Sequence, residues 1–133
     1  MEEVIKFLNQ NRVGYLATVD KGRPRVRPWG FMFEENGKFW FCTNNTKNVY
    51  KQLMEVPYIE FSCSTPDFST WLRVSGRITF VKDKGIKEKI FQTNPMLKNM
   101  YQSADNPIFE VFYLEHGSAS ISGFTTPEQK FEF

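Results

Sequence analysis

Residues 22–53, GRPRVRPWGFMFEENGKFWFCTNNTKNVYKQL, join an arginine-rich strand, a tight turn, a second strand and the start of a helix. Along residues 23–33, arginine and aromatic residues alternate with smaller or apolar ones, which is the period of two expected of a β-strand. Asn36 and Gly37 are typical of a tight hairpin turn, and residues 38–43 return as the partner strand. The segment therefore predicts a β-hairpin.

Two prolines limit how the first of these strands can pair. Pro24 and Pro28 have no N–H to give to a neighbour, so at least one edge of the strand is expected to stay unpaired over part of its length. Main-chain groups on such an edge are available to a ligand. The same strand carries the chain's one cluster of basic residues, Arg23, Arg25 and Arg27, which favours an anionic ligand.

Helix-capping residues follow the second strand at positions 43–46. They predict a helix that starts near Asn45, because apolar residues recur further on at helical spacing. The first turn of such a helix presents free N–H donors and a partial positive charge, and Lys47 adds a full charge beside the hydroxyls of Thr43 and Thr46. Taken singly, Lys47 is more often a solvated surface lysine and Thr46 is more often only a helix cap. Together with the arginines, they predict a site for a planar cofactor that ends in a phosphate.

Length and composition limit the class of protein. A chain of 133 residues suits a single domain spanning residues 1–133. Hydrophobic residues make up 41% and include 14 Phe, 5 Tyr and 3 Trp, an aromatic excess that suits a core, a dimer interface or a stacking site. The formal net charge is only +2, so no nucleic-acid footprint is expected and a small anion is the better-matched partner.

The cysteines and the N-terminal residues indicate the compartment. Cys42 and Cys63 lie in strand-like segments without CxxC spacing, and are predicted to be buried apolar side chains in a reducing compartment, with neither a disulfide nor a metal site. Glu2 and Glu3 stand where a signal peptide carries positive charge, and no apolar run approaches the roughly 18 residues of a membrane span. We therefore expect a soluble, cytoplasmic protein that does not bind membranes.

The rest of the chain predicts a mainly β protein. Further strands are predicted at residues 13–19, 57–64, 71–81, 108–114 and 118–124, and helices at residues 2–10, after Asp83 and from Pro95. With six to seven strands, no internal repeat and no parallel βαβ series, the expected fold is a small antiparallel β-barrel with short peripheral helices.

The order of these motifs resembles the pyridoxamine 5'-phosphate oxidase-like family of FMN-binding split barrels, in particular the compact members grouped with the nitroimidazole-resistance (Nim-like) proteins. The resemblance rests on the Arg27-Pro28 pair, the helix start at residues 43–47, LRVSG at residues 72–76 and the last strand, and it covers nearly the whole chain. It implies a split barrel that forms a homodimer, with one FMN in each of two clefts at the interface.

The resemblance also assigns the cofactor-binding residues. It implies that Arg27, Pro28, Trp29 and Gly30 run beside the flavin, where main-chain groups bond the edge of the ring and Arg27 reaches the pyrimidine end or the phosphate. It places Cys42 and Thr43 near the ring and the ribityl chain, and it assigns the phosphate loop to Asn45, Thr46 and Lys47. A weaker alignment sets Trp71 near the flavin from the other strand system, where it covers the ring or the substrate pocket.

The implied function is that of an FMN-binding flavoprotein, an oxidoreductase that passes electrons from a reduced nicotinamide to a small acceptor such as a nitro compound or a quinone. No residue is assigned a catalytic role and no metal site is expected. The absence of an acid–base or nucleophile constellation does not argue against an enzyme, because a flavin carries the electrons itself.

Three alternatives remain open. The same barrel can bind a deazaflavin or haem, with His116 as a weak haem-ligand candidate that is better explained as a partly exposed strand residue. A cofactor-free module can stack single-stranded nucleic acid on the face of residues 23–33 and on Trp71, although the near-neutral charge argues against it. The arginines can also be guards of an edge strand, with the aromatic residues in the core and a dimer interface.

Overall fold

The computed structural model describes residues 1–133 and has eight strands and four helices. In chain order these are α1 (Glu2–Gln10), β1 (Val13–Asp20), β2 (Arg23–Gly30), β3 (Phe33–Glu35), β4 (Lys38–Asn44), α2 (Asn48–Glu55), β5 (Tyr58–Ser64), β6 (Thr70–Val81), α3 (Lys84–Thr93), α4 (Pro95–Tyr101), β7 (Phe109–Gly123) and β8 (Gln129–Glu132). The strands form one antiparallel sheet in the order β2-β1-β5-β6-β7-β4-β3, and β8 pairs with β7. The predicted mainly β, antiparallel split-barrel class is confirmed. No helix has both the length and the apolar character needed to cross a membrane.

The pairing of the arginine-rich strand differs from the predicted hairpin. Residues 23–33 do not form one strand paired with residues 38–43: β2 ends at Gly30 and pairs with β1 instead. Only the three-residue β3 pairs with β4 around the turn at Asn36. The reason is that the chain bends after β2, because Phe31 enters the core at 1% exposure and donates its N–H to the carbonyl of Arg12 at 2.8 Å.

The prediction of an unpaired edge is confirmed. β2 is the last strand on its side of the sheet, so its second edge has no neighbouring strand. Pro24 and Pro28 lie opposite Val19 and Tyr15 of β1. The main-chain groups on the open edge of β2 therefore remain available near the end of the strand.

The second helix begins later than predicted. α2 starts at Asn48 rather than near Asn45, because residues 44–47 form a separate turn. The side-chain oxygen of Asn44 accepts the N–H of Thr46 at 2.9 Å, a local bond that competes with helical hydrogen bonding. The N-cap position falls to Lys47, which makes no side-chain cap hydrogen bond.

The two closing strands predicted around Gly117 are one continuous strand, β7, of 15 residues. It runs antiparallel to β6 from Val111 to Gly123, and Gly117 lies directly opposite Gly76. The two backbones approach closely at this pair: a Cβ built on Gly117 would lie 2.1 Å from the carbonyl oxygen of Ser75. The ladder shifts register between Gly76 and Ile78, so the glycine pair marks the irregular point of the sheet.

Two buried clusters fill the interior. The larger contains 18 residues inside the curved sheet and includes Phe31, Phe39, Phe41, Phe61 and Phe112. The smaller contains nine residues, among them side chains from α3 and β7 that pack together. The smaller cluster attaches α3 and α4 to the outside of β4 and β7, and so places α4 beside the end of β2.

Candidate cofactor-binding site

A cleft of about 250 Å³ lies between the end of β2, the end of β4 and helix α4. Six of the ten predicted cofactor-binding residues line it: Pro28, Trp29, Gly30, Cys42, Thr43 and Lys47. The remaining lining side chains are Met32, Leu97, Met100 and Tyr101. A larger depression of about 550 Å³ between α3 and α4 has a mainly charged and polar lining. The cleft at β2 is the one that combines apolar walls with converging polar groups, as ligand sites do.

Lys47 supplies the positive charge of the cleft. Its ammonium nitrogen lies 5.9 Å from the centre of the Trp29 ring, within the range of a cation–π contact. Lys47 also forms no ion pair with a carboxylate. α2 begins directly after Lys47, so the free N–H groups of its first turn follow this charge immediately in the chain. An anion fits this end of the cleft.

Thr43, a lining residue of the cleft, carries a buried hydroxyl without a hydrogen-bond partner. The residue is 4% exposed, and its Oγ1 is one of two buried side-chain polar atoms without a hydrogen-bond partner. The other is Nε1 of Trp40, whose ring packs against Tyr113 in the smaller cluster. A buried hydroxyl left without a partner costs about 1–3 kcal/mol. A ligand with polar oxygens would remove that cost.

The thiol of Cys42, the residue before Thr43, is not activated for reaction. Burial raises the pKa of Cys42 to about 12, while the positive charge of Lys47 acts in the opposite direction. Its Sγ lies 3.9 Å from the sulfur of Met32. Cys63 is also free, and burial raises its pKa to about 12 as well. Both side chains are therefore neutral thiols at physiological pH, and neither is an activated nucleophile.

Asn45 and Thr46 lie in the turn beside the cleft, but their donors point into the protein. The Asn45 amide nitrogen donates to the carbonyl of Pro107 at 2.8 Å and to Oε2 of Glu110 at 2.9 Å, which uses both of its hydrogens. The Thr46 hydroxyl and N–H both donate to the side-chain oxygen of Asn44. The donors left for an anion are therefore those of Lys47 and of the α2 N-terminus.

Arg27 lies outside the cleft wall and contacts the middle of α2. Its guanidinium donates to the carbonyl of Leu16 at 3.1 Å, to Oγ1 of Thr18 at 2.9 Å and to Oε1 of Gln52 at 2.9 Å. Desolvation lowers the pKa of Arg27 from its ordinary value, and no carboxylate is among its partners. Arg27 thus connects β1 and β2 to α2, and holds the strand that ends in the cleft.

Trp71 also lies apart from the cleft. It sits at the start of β6, opposite Ser64 and Ser122, with its ring edge-on to Phe124 at 5.4 Å. The histidine singled out in the sequence, His116, is exposed on β7. No group of three His, Cys, Asp or Glu side chains is arranged to hold a metal ion.

Four lining residues and one supporting residue escape the sequence analysis. Leu97, Met100 and Tyr101 come from α4, which is predicted as a helix from Pro95, but nothing in its pattern says that it packs beside β2. The alternation of residues 23–33 predicts a strand position for Met32, which instead follows the bend after β2. Glu110 follows an Asn-Pro break and reads as an ordinary strand residue, so its burial at 2% is visible only in three dimensions.

Comparisons with known proteins identify the relatives of this chain. Residues 1–120 match the family model described as pyridoxamine 5'-phosphate oxidase. A NimC/NimA family protein from Clostridium acetobutylicum is 36% identical and superposes with a TM-score of 0.90, covering 100% of this chain and 92% of that chain. No match was found among curated proteins.

Two more distant structures share the fold. A pyridoxamine 5'-phosphate oxidase-related, FMN-binding protein from Nostoc punctiforme is 17% identical with a TM-score of 0.63, and the match covers 99% of this chain and 95% of that chain. A haem-binding protein from Mycobacterium smegmatis is 16% identical with a TM-score of 0.79, and the match covers 98% of this chain and 57% of that chain.

Proposed function

Because the chain belongs to the pyridoxamine 5'-phosphate oxidase family, we propose that it is an FMN-binding flavoprotein that transfers electrons from a reduced nicotinamide to a small acceptor such as a nitro compound or a quinone. The relative from Nostoc punctiforme, described as FMN-binding, supports the choice of cofactor. The cleft at the end of β2 is the proposed site.

The unpaired hydroxyl of Thr43 is the observation that carries this proposal. FMN has a ribityl chain of hydroxyl groups and a phosphate, and either supplies the hydrogen-bond partner that Thr43 lacks in the protein alone. Thr43 and Lys47 both line the cleft, so one ligand with an anionic end can contact both residues. The residues present therefore fit FMN.

Each wall of the cleft has a distinct task in this proposal. Lys47 and the first N–H groups of α2 hold the phosphate. The open edge of β2 at Pro28–Gly30 offers main-chain groups to the rim of the ring. The side chains of Trp29 and Met100 cover apolar surface and exclude water. When bound, FMN supplies the electron-transfer chemistry, and the chain provides binding, orientation and a positive charge that favours the reduced state.

We propose further that two copies of the chain form a homodimer that completes each cleft. The support is an exposed apolar face on the outer side of β1 and β2, where Val13 is 77%, Tyr15 58% and Val26 69% exposed. Tyr15 pairs with Pro28 and Val13 with Gly30, so this face continues into the cleft wall. Contiguous exposed apolar surface of this kind marks an interface. Trp71, which is outside the cleft of its own chain, is the residue proposed to reach the flavin of the other copy.

Size-exclusion chromatography of the purified protein, incubated with FMN and monitored in the visible flavin bands, tests the proposal. Flavin absorbance is expected to coelute with a dimer and to bleach on addition of a reduced nicotinamide under anaerobic conditions. Elution without flavin would reject the cofactor, and a Soret band would replace it with haem. Flavin retained on a monomer would reject the shared cleft.

Replacing Thr43 with valine tests the role proposed for its unpaired hydroxyl. Since the hydroxyl has no partner in the ligand-free protein, Thr43→Val should leave its stability unchanged or raise it by up to about 1 kcal/mol, and weaken FMN binding by roughly fivefold to tenfold. Thr18→Val is the matched control, because the buried Thr18 hydroxyl bonds Gln52 at 2.6 Å and its loss should cost about 1–2 kcal/mol. Chemical denaturation and flavin-fluorescence titration measure both effects. Equal destabilisation by the two substitutions would contradict the assignment.

A further inference from the structure

Glu110 is a carboxylate that the proposed function leaves unexplained. It is 2% exposed and lies on β7, opposite Thr43 of β4. Burying a charge is costly unless it is paired and hydrogen-bonded. Glu110 meets both conditions: the ammonium group of Lys82 donates to both of its oxygens at 2.9 Å, and Asn45 donates to one of them at 2.9 Å.

The contact with Asn45 links this ion pair to the turn that precedes α2. Asn45 is anchored three times: its side chain bonds Glu110 and Pro107, and its main-chain N–H donates to the carbonyl of Ile108 at 2.9 Å. The next residues along the chain are Thr46 and Lys47. Whatever holds Asn45 therefore determines where Lys47 and the first turn of α2 point.

The charge of Glu110 would work against an anion in the cleft if it were not compensated. A phosphate carries close to two negative charges, and a buried carboxylate in contact with its binding turn would repel it. Lys82 places a positive charge beside that carboxylate, and the hydrogen bonds to Glu110 raise the pKa of Lys82, so Lys82 keeps its charge. Lys82 remains largely exposed, with 74% of its side chain in contact with solvent.

We propose that Glu110 is a positioning residue for phosphate binding: by holding Asn45, it orients the turn that carries Lys47. Lys82 neutralises the negative charge of Glu110. This inference rests on the proposed function, because it deepens the description of the same site. It assigns Asn45 to holding the turn rather than to touching the phosphate. Recognition of the phosphate thus depends on a side chain, Lys82, that lies outside the cleft.

The Lys82→Gln variant tests this positioning role when its affinities for FMN and riboflavin are compared, because the two ligands differ only in the phosphate. FMN binding should weaken by about tenfold and riboflavin binding by less than about twofold, because the uncompensated carboxylate acts on the phosphate. Lys82→Arg should restore FMN affinity to within about threefold. Lys84→Gln is the matched control: it removes the same charge two positions away, from an exposed pair with Asp105 at 3.2 Å, and should alter neither affinity.

The possible outcomes separate the inference from the proposed function. Equal weakening for FMN and riboflavin, or unchanged FMN affinity with a lowered melting temperature, would overturn the positioning role and leave a structural one. An equal effect of Lys84→Gln would show a general charge effect and would also overturn it. Failure of the unchanged protein to bind FMN would instead overturn the proposed function.

Discussion

Lys47→Ala is expected to weaken FMN binding by about tenfold to a hundredfold, the loss typical of a charge-assisted contact. Lys47 is the basic side chain of the cleft, and the donors of Asn45 and Thr46 are directed into the protein. No other lining side chain can therefore replace its charge. Equilibrium titration of the ligand-free protein, followed by quenching of flavin fluorescence, measures the change.

The matched control for this substitution is Lys51→Ala. Lys51 is exposed on the same helix, one turn further on, and lines a different depression. Its removal should change FMN affinity by less than about threefold, the size of a screened surface charge effect. Riboflavin affinity should respond weakly to both variants. If Lys47→Ala and Lys51→Ala had equal effects, Lys47 would not be a phosphate ligand.

Gly117→Ala is expected to cost about 3 kcal/mol or more of unfolding free energy. An added Cβ would lie 2.1 Å from the carbonyl oxygen of Ser75, which is backbone and cannot rotate away. Relief requires β6 and β7 to separate where Gly117 and Gly76 face each other, and these are the two longest strands of the sheet. Denaturant unfolding of the ligand-free protein measures the loss.

Gly85→Ala provides the comparison for this second substitution. Gly85 lies in the first turn of α3, where an added Cβ would come no closer than 3.3 Å to a side-chain oxygen of Asp83. Alanine is also the better helix former, so stability should change by less than about 1 kcal/mol. A small effect at Gly117 would mean that the two strands can move apart at little cost.

The sequence predicted local elements well because their signals are local. The helix cap at Asp83, whose side chain accepts the N–H of Ile86 at 3.1 Å, and the helix from Pro95 were both recognisable from single residues. The prediction that residues 23–33 form one hairpin with residues 38–43 was wrong, because the turn before this strand and the turn after it each offer it a different partner. The turn at Lys21 and Gly22, which have φ angles of 51° and 77°, pairs β2 with β1 and leaves little of it for β4.

The site was predictable to the extent that it lies on contiguous sequence. Of the ten predicted residues, six lie on two short stretches, 28–30 and 42–47, and line one cleft, whereas Arg27 and Trp71 lie outside it. The contribution of α4 depends on how the smaller buried cluster packs, which no periodicity reveals. The direction of a donor is equally invisible: Asn45 and Arg27 have suitable chemistry, but their hydrogens are used by Glu110 and Gln52.

The open edge of β2 has a second consequence, for the behaviour of the protein in a crowded solution. An unpaired strand edge is a template on which a strand from another molecule can add, and this is how many β-proteins begin to aggregate. Pro24 and Pro28 interrupt the row of donors on β2, and Arg23 and Arg25 add charge along it. The same residues that leave main-chain groups free for a small molecule therefore make the edge a poor template for a polypeptide.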